Sequence, residues 1–121
     1  MVKRTFPTNP KTRRIIKLLR KASRSNNADV WRAISDSLNT PTRNSISINL
    51  GKIDRLTEEG DFVAVPGKVL AFGNLSKKVD VAALSFSQTA KHKIIESGGR
   101  AVSLDVLVGI NPRGREVKLL R

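Results

Sequence analysis

The chain has 121 residues, with 23 Lys and Arg against 10 Asp and Glu, which gives a formal net charge of +13 at pH 7. Uncompensated charge of this size destabilises a compact fold through self-repulsion, so it indicates a polyanionic partner: nucleic acid, or alternatively an anionic membrane surface. The lack of Cys excludes disulfides and Cys-ligated metal sites, and no stretch approaches the ~20 apolar residues of a membrane-spanning helix. We therefore expect one small intracellular domain.

The charge is concentrated in the first third of the chain. Residues 1–43 contain 11 basic and 2 acidic residues, a net of +9, whereas residues 44–121 contain 12 and 8, a net of +4. We predict a basic N-terminal tail at residues 1–8, a helical basic region at residues 9–44 and a compact α/β body at residues 45–121. All three belong to one structural domain in this interpretation.

The first predicted helix begins at Asn9-Pro10, a favourable pair for a helix start, and runs to about Arg24. Its apolar residues fall in one stripe at helical spacing: Ile15, Ile16, Leu18, Leu19 and Ala22. The opposite side carries six cations and no anion: Arg13, Arg14, Lys17, Arg20, Lys21 and Arg24. Solvated helix faces usually mix both signs, so an unbroken cationic face favours contact with a phosphate backbone.

A second helix is predicted at residues 28–38, after the polar turn at residues 25–27. Its buried stripe comprises Val30, Trp31, Ile34 and Leu38. Trp31 has two interpretations, as a core residue or as a platform that stacks on a base, and its spacing favours the core. A loop at residues 40–44 then ends the helical region.

The rest of the chain alternates between strands and short helices. The predicted strands lie at residues 45–48, 61–71, 79–84 and 116–120, and the second of them is bent at Pro66-Gly67. Helices are predicted at residues 50–56 and from a cap at Ser85 or Ser87 to about residue 97, and residues 101–110 are expected to form a strand and a short helix. Turns are predicted at residues 73–78 and 111–114. Two of these helices are expected to bury the following residues: Ile53 and Leu56, then Ala90, Ile94 and Ile95. The fold class is α/β, with a basic helical N-terminal arm and a compact body whose small sheet is mostly parallel or mixed and flanked by helices.

Groups that support catalysis or metal binding are scarce. His92 is the only histidine, it lies between two lysines on a surface-facing part of a helix, and no nucleophile elbow or phosphate-binding Gly-rich loop is present. The acidic residues Asp54, Glu58, Glu59 and Asp61 are interpreted as a solvated loop, or as partners for the protein's own Arg, rather than as a metal site. We expect no enzyme activity, no cofactor and no metal.

Several segments of the body resemble a known family. They are Lys68–Leu75 (KVLAFGNL), Val79–Val81, Phe86–Ala90, Ile94 and Gly98–Gly99, which include the spacing Phe-Ser-x-x-Ala-x-x-x-Ile-x-x-x-Gly. The pattern is similar to that of bacterial large-subunit ribosomal protein fifteen and its archaeal and eukaryotic relative, protein eighteen-e. The resemblance to the eighteen-e branch covers nearly the whole chain, with Trp31, Asn49–Arg55 and Val65–Lys68 among the matching positions. The chain lacks the Gly- and Arg-rich extension of the bacterial member and is shorter than eukaryotic members, which favours an archaeal source.

The resemblance implies a structural constituent of the large ribosomal subunit that binds large-subunit rRNA, is ribosome-bound in the cytoplasm, has neighbouring large-subunit proteins as partners, and has no membrane or small-molecule ligand. The predicted RNA-binding residues are Lys3, Arg4, Lys11, Arg13, Arg14, Lys17, Arg20, Lys21, Arg24, Arg32, Arg43, Lys68, Lys77, Lys78, Arg113 and Arg115. The alternative is a DNA-binding protein of helix-turn-helix or chromatin type, and an enzyme acting on RNA is a third hypothesis.

Overall fold

The computed structural model describes residues 10–39, 46–114 and 116–120. Five helices lie in these ranges: α1 Pro10–Asn26, α2 Asp29–Leu38, α3 Leu50–Leu56, α4 Gln88–Glu96 and α5 Leu104–Ile110. The same ranges contain five strands: β1 Ile46–Asn49, β2 Phe62–Leu70, β3 Asp80–Phe86, β4 Ala101–Ser103 and β5 Val117–Leu119. Each predicted element is present, with ends shifted by at most two residues, and the α/β class is confirmed. No helix in the described ranges is long and apolar enough to span a bilayer.

The five strands form one sheet in which every pairing is parallel. Its order is β1-β2-β3-β4, and β5 also pairs with β2. β1 pairs with residues 67–70 of β2, whereas β5 pairs with residues 62–64. Because β3 occupies the other edge of β2, β1 and β5 lie one after the other along the same edge. β2 is therefore the central strand.

Helices cover both faces of the sheet, and the alternation of side chains along β2 and β3 divides the core into two clusters. Ala64 and Ala82 face the cluster formed with α1, α2 and α5. Val63 and Val81 face the cluster formed with α3 and α4. Parallel strands buried on both faces are expected to be nearly continuous apolar runs rather than to alternate with polar residues, and Phe62–Val65 and Val81–Leu84 are such runs.

The pairing of β2 is irregular at the position where the sequence predicts a bend. The pairing register with β3 shifts between Val65 and Lys68, at Pro66-Gly67. Gly67 is also required for the approach of β1, because a Cβ at this position would lie 2.1 Å from the carbonyl oxygen of Ile46. The irregular pairing with β3 and the close approach of β1 thus occur at the same pair of residues.

α1 is amphipathic, and its packing corrects one expectation. Ile15, Ile16, Leu19 and Ala22 are buried as predicted, but Leu18 is 38% exposed and Thr12 is buried in the stripe. At 100° per residue Leu18 lies about 100° from Leu19, which is at the centre of the buried stripe, and so Leu18 falls outside that stripe. The packed surface of α1 is therefore narrower than the sequence suggests, and the two N-terminal helices form one layer of the α/β body.

Two further burial predictions are wrong for the same reason. Leu56 is 49% exposed at the end of α3, and Ile95 is 55% exposed on α4, whereas Ile53 and Ile94 are fully buried. Both short helices contact the sheet through a single stripe, so the apolar residue beside the stripe remains in solvent. The start of α4 resolves the cap predicted at Ser85 or Ser87, since the Ser87 hydroxyl accepts a 3.2 Å hydrogen bond from the backbone N–H of Ala90.

Candidate nucleic-acid interface

The outward face of α1 is a continuous cationic surface. The six cations predicted for this face are all exposed: Arg13, Arg14, Lys17, Arg20, Lys21 and Arg24. Lys11, in the first turn, is exposed as well. In the described part of the chain, no ion pair within 4.0 Å involves Arg14, Lys17 or Lys21. Because the apolar side of α1 is buried, the cationic face points toward solvent. Cations that lack acidic partners repel one another, and an external polyanion would relieve that repulsion.

The packing of α1 against α2 adds a cleft of about 400 Å³ at the edge of the cationic face. The cleft is lined by Arg20, Ser23 and Arg24 from α1 and by Arg32 and Asp36 from α2. Within the ranges that the structure describes, none of its charged groups has an ion-pair partner within 4.0 Å. The cleft therefore brings three guanidinium groups, which are hydrogen-bond donors only, close to one carboxylate.

Arg113 lies close to the end of α1, although it is far away in sequence. It lines a second, polar cleft of about 440 Å³ together with Ser25, Asn26 and Asn27. The Asn26 side-chain amide donates to the Ala22 carbonyl oxygen at 3.0 Å, and Asn27 turns the chain with a φ of 53°. The structure thus joins Arg113 to the turn that follows the cationic face.

The remaining described candidates lie elsewhere on the body. Lys68 is exposed on β2, and Lys78 is exposed in the loop before β3. Lys77 in the same loop is half-buried, because its ammonium group donates to the carbonyl oxygens of Asp54, at 2.6 Å, and Thr57. Two of its three donors are therefore used within the protein. Lys3, Arg4, Arg43 and Arg115 lie outside the described residues.

The acidic segment before β2 is occupied by internal contacts. Hydrogen bonds from the backbone N–H and hydroxyl of Ser76, at 3.0 and 2.9 Å, lower the pKa of Asp54. Lys118 lies 2.7 Å from Asp61, which lowers the pKa of Asp61 and raises that of Lys118. The ion-pair partner in this segment is therefore a Lys, where an Arg was one of the expectations.

The single histidine lies on a solvent-facing side of α4. His92 is exposed, and its Nε2 lies 3.2 Å from a carboxylate oxygen of Glu96, one helical turn away. Among the described residues, no group of three or more His, Asp or Glu side chains is placed to hold a metal ion.

Sequence reasoning missed two members of the cleft, Ser23 and Asp36. Asp36 follows Arg32 by four residues, so the spacing alone places both on one side of α2. What the sequence does not contain is the packing angle of α1 on α2, which brings Arg20 and Arg24 opposite them. A search for acidic residues at helical spacing from a predicted RNA-binding arginine would have found Asp36.

Comparisons with known proteins find relatives over nearly the whole chain. The profile of the family described as "Ribosomal protein 60S L18 and 50S L18e" matches residues 2–121. The "Large ribosomal subunit protein eL18" of Pyrobaculum aerophilum is 43% identical over 116 residues, 96% of this chain and 95% of that protein. The protein with the same description from Methanoregula boonei is 41% identical over 121 residues, all of both chains. That of Methanothermobacter thermautotrophicus is 42% identical over 120 residues, 99% of each.

These relatives come from archaea, which supports the expected archaeal character. The resemblance inferred from the sequence is confirmed, and with it the expectation of a structural component rather than an enzyme. The family profile and the identity of about 40% over the full length show that the chain belongs to the family of ribosomal proteins 60S L18 and 50S L18e.

Proposed function

We propose that this chain is a ribosome-bound structural component of the large subunit and that it binds large-subunit rRNA through the cationic face of α1. The observation that carries the proposal is the one-sidedness of this helix. Its apolar side is buried, mainly against α2 and α5, and six exposed cations lie on the opposite side without an acidic residue among them. The names of the relatives place those proteins in the large ribosomal subunit, which favours rRNA as the polyanion.

In this mechanism the α/β body positions the cationic helix, and the helix bridges phosphates. Phosphate contacts fix register and orientation but carry little sequence information, so specificity comes from the shape of the RNA and from unpaired bases. Arg113 extends the surface past the end of α1, and Lys68 and Lys78 provide separate contacts. If about eight phosphates are neutralised, the slope of log affinity against log salt is roughly −6 on irregular RNA.

The DNA-binding alternative has weaker support. A helix-turn-helix protein reads bases with its second helix, which should present polar and basic side chains outward. The charged exposed residues of α2 are Asp29, Arg32 and Asp36, so two of the three are acidic. The cationic face lies on the first helix, which favours a backbone-bridging role.

The test compares two double variants that remove the same charge from different surfaces. Arg14→Gln with Lys17→Gln removes one Arg and one Lys from the α1 face. Arg55→Gln with Lys91→Gln removes one Arg and one Lys from α3 and α4, where both are exposed. Affinity for large-subunit rRNA is measured over a range of salt concentrations, with duplex DNA as competitor. The α1 variant should lower the magnitude of the salt slope by about 1.4, and the control should leave it nearly unchanged.

Folding must be intact for the comparison to count, and it should be, because all four residues are exposed. Equal losses in the two variants would mean that net charge alone, and not the α1 face, attracts the RNA. Equal affinity for duplex DNA and rRNA in the wild-type protein would favour the DNA-binding alternative.

A further inference from the structure

The cleft between α1 and α2 contains a group that a pure phosphate site would not have. Arg20, Arg24 and Arg32 converge there with Asp36. An ionised carboxylate is only a hydrogen-bond acceptor, and so is a phosphodiester, so the two cannot bond to each other. An aspartate in a phosphate-binding cleft needs a donor, either from the protein or from the ligand.

The protein does not supply an ionic partner for Asp36. Arg32 precedes it by four residues on α2, the spacing of a helical ion pair, yet no Lys or Arg nitrogen lies within 4.0 Å of its carboxylate in the described part of the chain. The side chain is exposed and lines the open cleft. It is therefore available to a ligand.

The position of Asp36 is also unfavourable for the helix itself. It lies in the last turn of α2, which has no basic residue. A negative charge near a helix C-terminus is repelled by the partial negative charge of the last carbonyl groups. Asp36 lowers the stability of its own helix and lies beside three arginines. We therefore attribute its presence to ligand binding rather than to a contribution to stability.

We infer that this cleft holds one ribose-phosphate unit of RNA, with the arginines on phosphate oxygens and the Asp36 carboxylate accepting a hydrogen bond from the ribose 2′-hydroxyl. The 2′-hydroxyl is the donor that every ribonucleotide presents beside its phosphates, and it distinguishes RNA from DNA. The cleft would thus select the sugar, while the face of α1 supplies affinity. This inference rests on the proposed function and adds to it the recognition of ribose.

Electrostatics alone, without a contact to ribose, predicts that the variant Asp36→Ala changes RNA affinity in the opposite direction. Removal of a carboxylate from a cationic surface should strengthen binding to any polyanion. If Asp36 accepts a hydrogen bond from ribose, Asp36→Ala should instead weaken binding to RNA and only to RNA that carries 2′-hydroxyl groups. The two explanations therefore predict changes in RNA affinity of opposite direction, and not only of different size.

The experiment uses the shortest rRNA fragment that the wild-type protein protects from nuclease, synthesised once with ribose and once with 2′-fluoro-2′-deoxyribose. The fluoro sugar lacks the hydroxyl donor. We expect Asp36→Ala to lower affinity for the ribose fragment about tenfold, as for a hydrogen bond to a charged group, and to leave affinity for the fluoro fragment equal or higher. Asp29→Ala is the matched control, because Asp29 lies on the same helix, is exposed, and is outside the cleft.

The control should change both affinities in parallel. Asp36→Ala is expected to fold normally, since it removes an unfavourable helix charge, and circular dichroism checks this. A parallel change in both affinities on Asp36→Ala, upward or downward, would overturn the ribose assignment. Failure of the wild-type protein to protect any rRNA fragment would instead refute the proposed function.

Discussion

The indole Nε1 of Trp31 donates a 2.7 Å hydrogen bond to the carbonyl oxygen of Pro112, 81 residues later in the chain. This bond ties α2 to the turn that follows α5. Gly114 closes the same turn with a φ of +66°, and a Cβ there would lie 2.3 Å from Cγ1 of Val30. The turn that carries Arg113 is therefore held against α2, so Arg113 is presented from a fixed position.

Trp31→Phe should destabilise the protein and leave the cationic face of α1 intact, while the close packing of Gly114 on Val30 still holds the turn that carries Arg113. The indole is fully buried, so it has no face available to a base, and its loss removes a hydrogen bond and leaves a small cavity. We expect the free energy of unfolding to fall by about 2 kcal/mol, measured by urea denaturation followed by circular dichroism. The affinity of the folded variant for rRNA should stay within twofold; a loss of tenfold or more would revive the base-stacking interpretation.

Gly67→Ala should be among the most destabilising single-methyl additions in the body. Its Cβ would lie 2.1 Å from the Ile46 carbonyl oxygen and 2.8 Å from the Ile46 carbonyl carbon, both of which are backbone atoms. β1 must therefore move away from β2, and we expect a loss of about 3 kcal/mol in thermal or chemical unfolding.

Gly109→Ala is the control for this substitution. Gly109 lies within α5, and a Cβ at this position would meet no atom within 4 Å. Alanine favours a helix over glycine, so this variant should gain about 0.5–1 kcal/mol. Similar losses for both variants would mean that glycine content, and not the contact with Ile46, controls stability.

The amphipathic character of α1 was predictable because the spacing of its apolar residues matches the repeat of an α-helix. Four of the five apolar residues assigned to its stripe are buried, and the cations on the opposite side are exposed. The error at Leu18 has a simple origin. An apolar side chain beside a helical stripe is buried only if a neighbouring element reaches it, and the sequence of α1 contains no information about the width of its neighbours.

The cleft was less predictable, because it is a product of packing. Arg32 was assigned to the interface from its charge, whereas Asp36 was not, and only the packing of α2 on α1 places both opposite Arg20 and Arg24. The register of β5 is a similar case. Its pattern predicts a strand, but its pairing along β2 beside β1 depends on which stretch of that edge β1 leaves open.

Lys118→Met should lower thermal stability only in the middle of the pH range. Lys118 on β5 pairs with Asp61, directly before β2, and the pair lowers the pKa of Asp61 and raises that of Lys118. A lowered carboxyl pKa stabilises the fold above its usual value of 3.8 and loses this effect as pH falls through the folded pKa. A raised ammonium pKa stabilises the fold below its usual value of 10.5 and loses this effect as pH rises through the folded pKa.

The difference in melting temperature between wild type and Lys118→Met should therefore be constant from about pH 5 to 9 and shrink on both sides of that window. The effect should be small, since the pair is partly exposed to solvent, and it should decrease further at high salt. Lys91→Met, at an exposed lysine on α4, is the control. A difference that is independent of pH would assign the effect of Lys118 to its aliphatic stem.

Ile94 and Ile95 offer the sharpest test of the orientation of α4, because they are adjacent, chemically identical and differ in burial. Ile94 is fully buried among the residues of the β2–β3 face, whereas Ile95 is 55% exposed. Ile94→Ala should cost about 3 kcal/mol, since it leaves a cavity that the packed sheet cannot fill. Ile95→Ala should change stability by less than about 0.5 kcal/mol, because the lost contacts are few and alanine is the better helix former. Chemical denaturation of both variants measures the contrast. Equal costs would mean that α4 is rotated about its axis relative to the sheet, which would also move His92 and Lys91 from their solvent-facing positions.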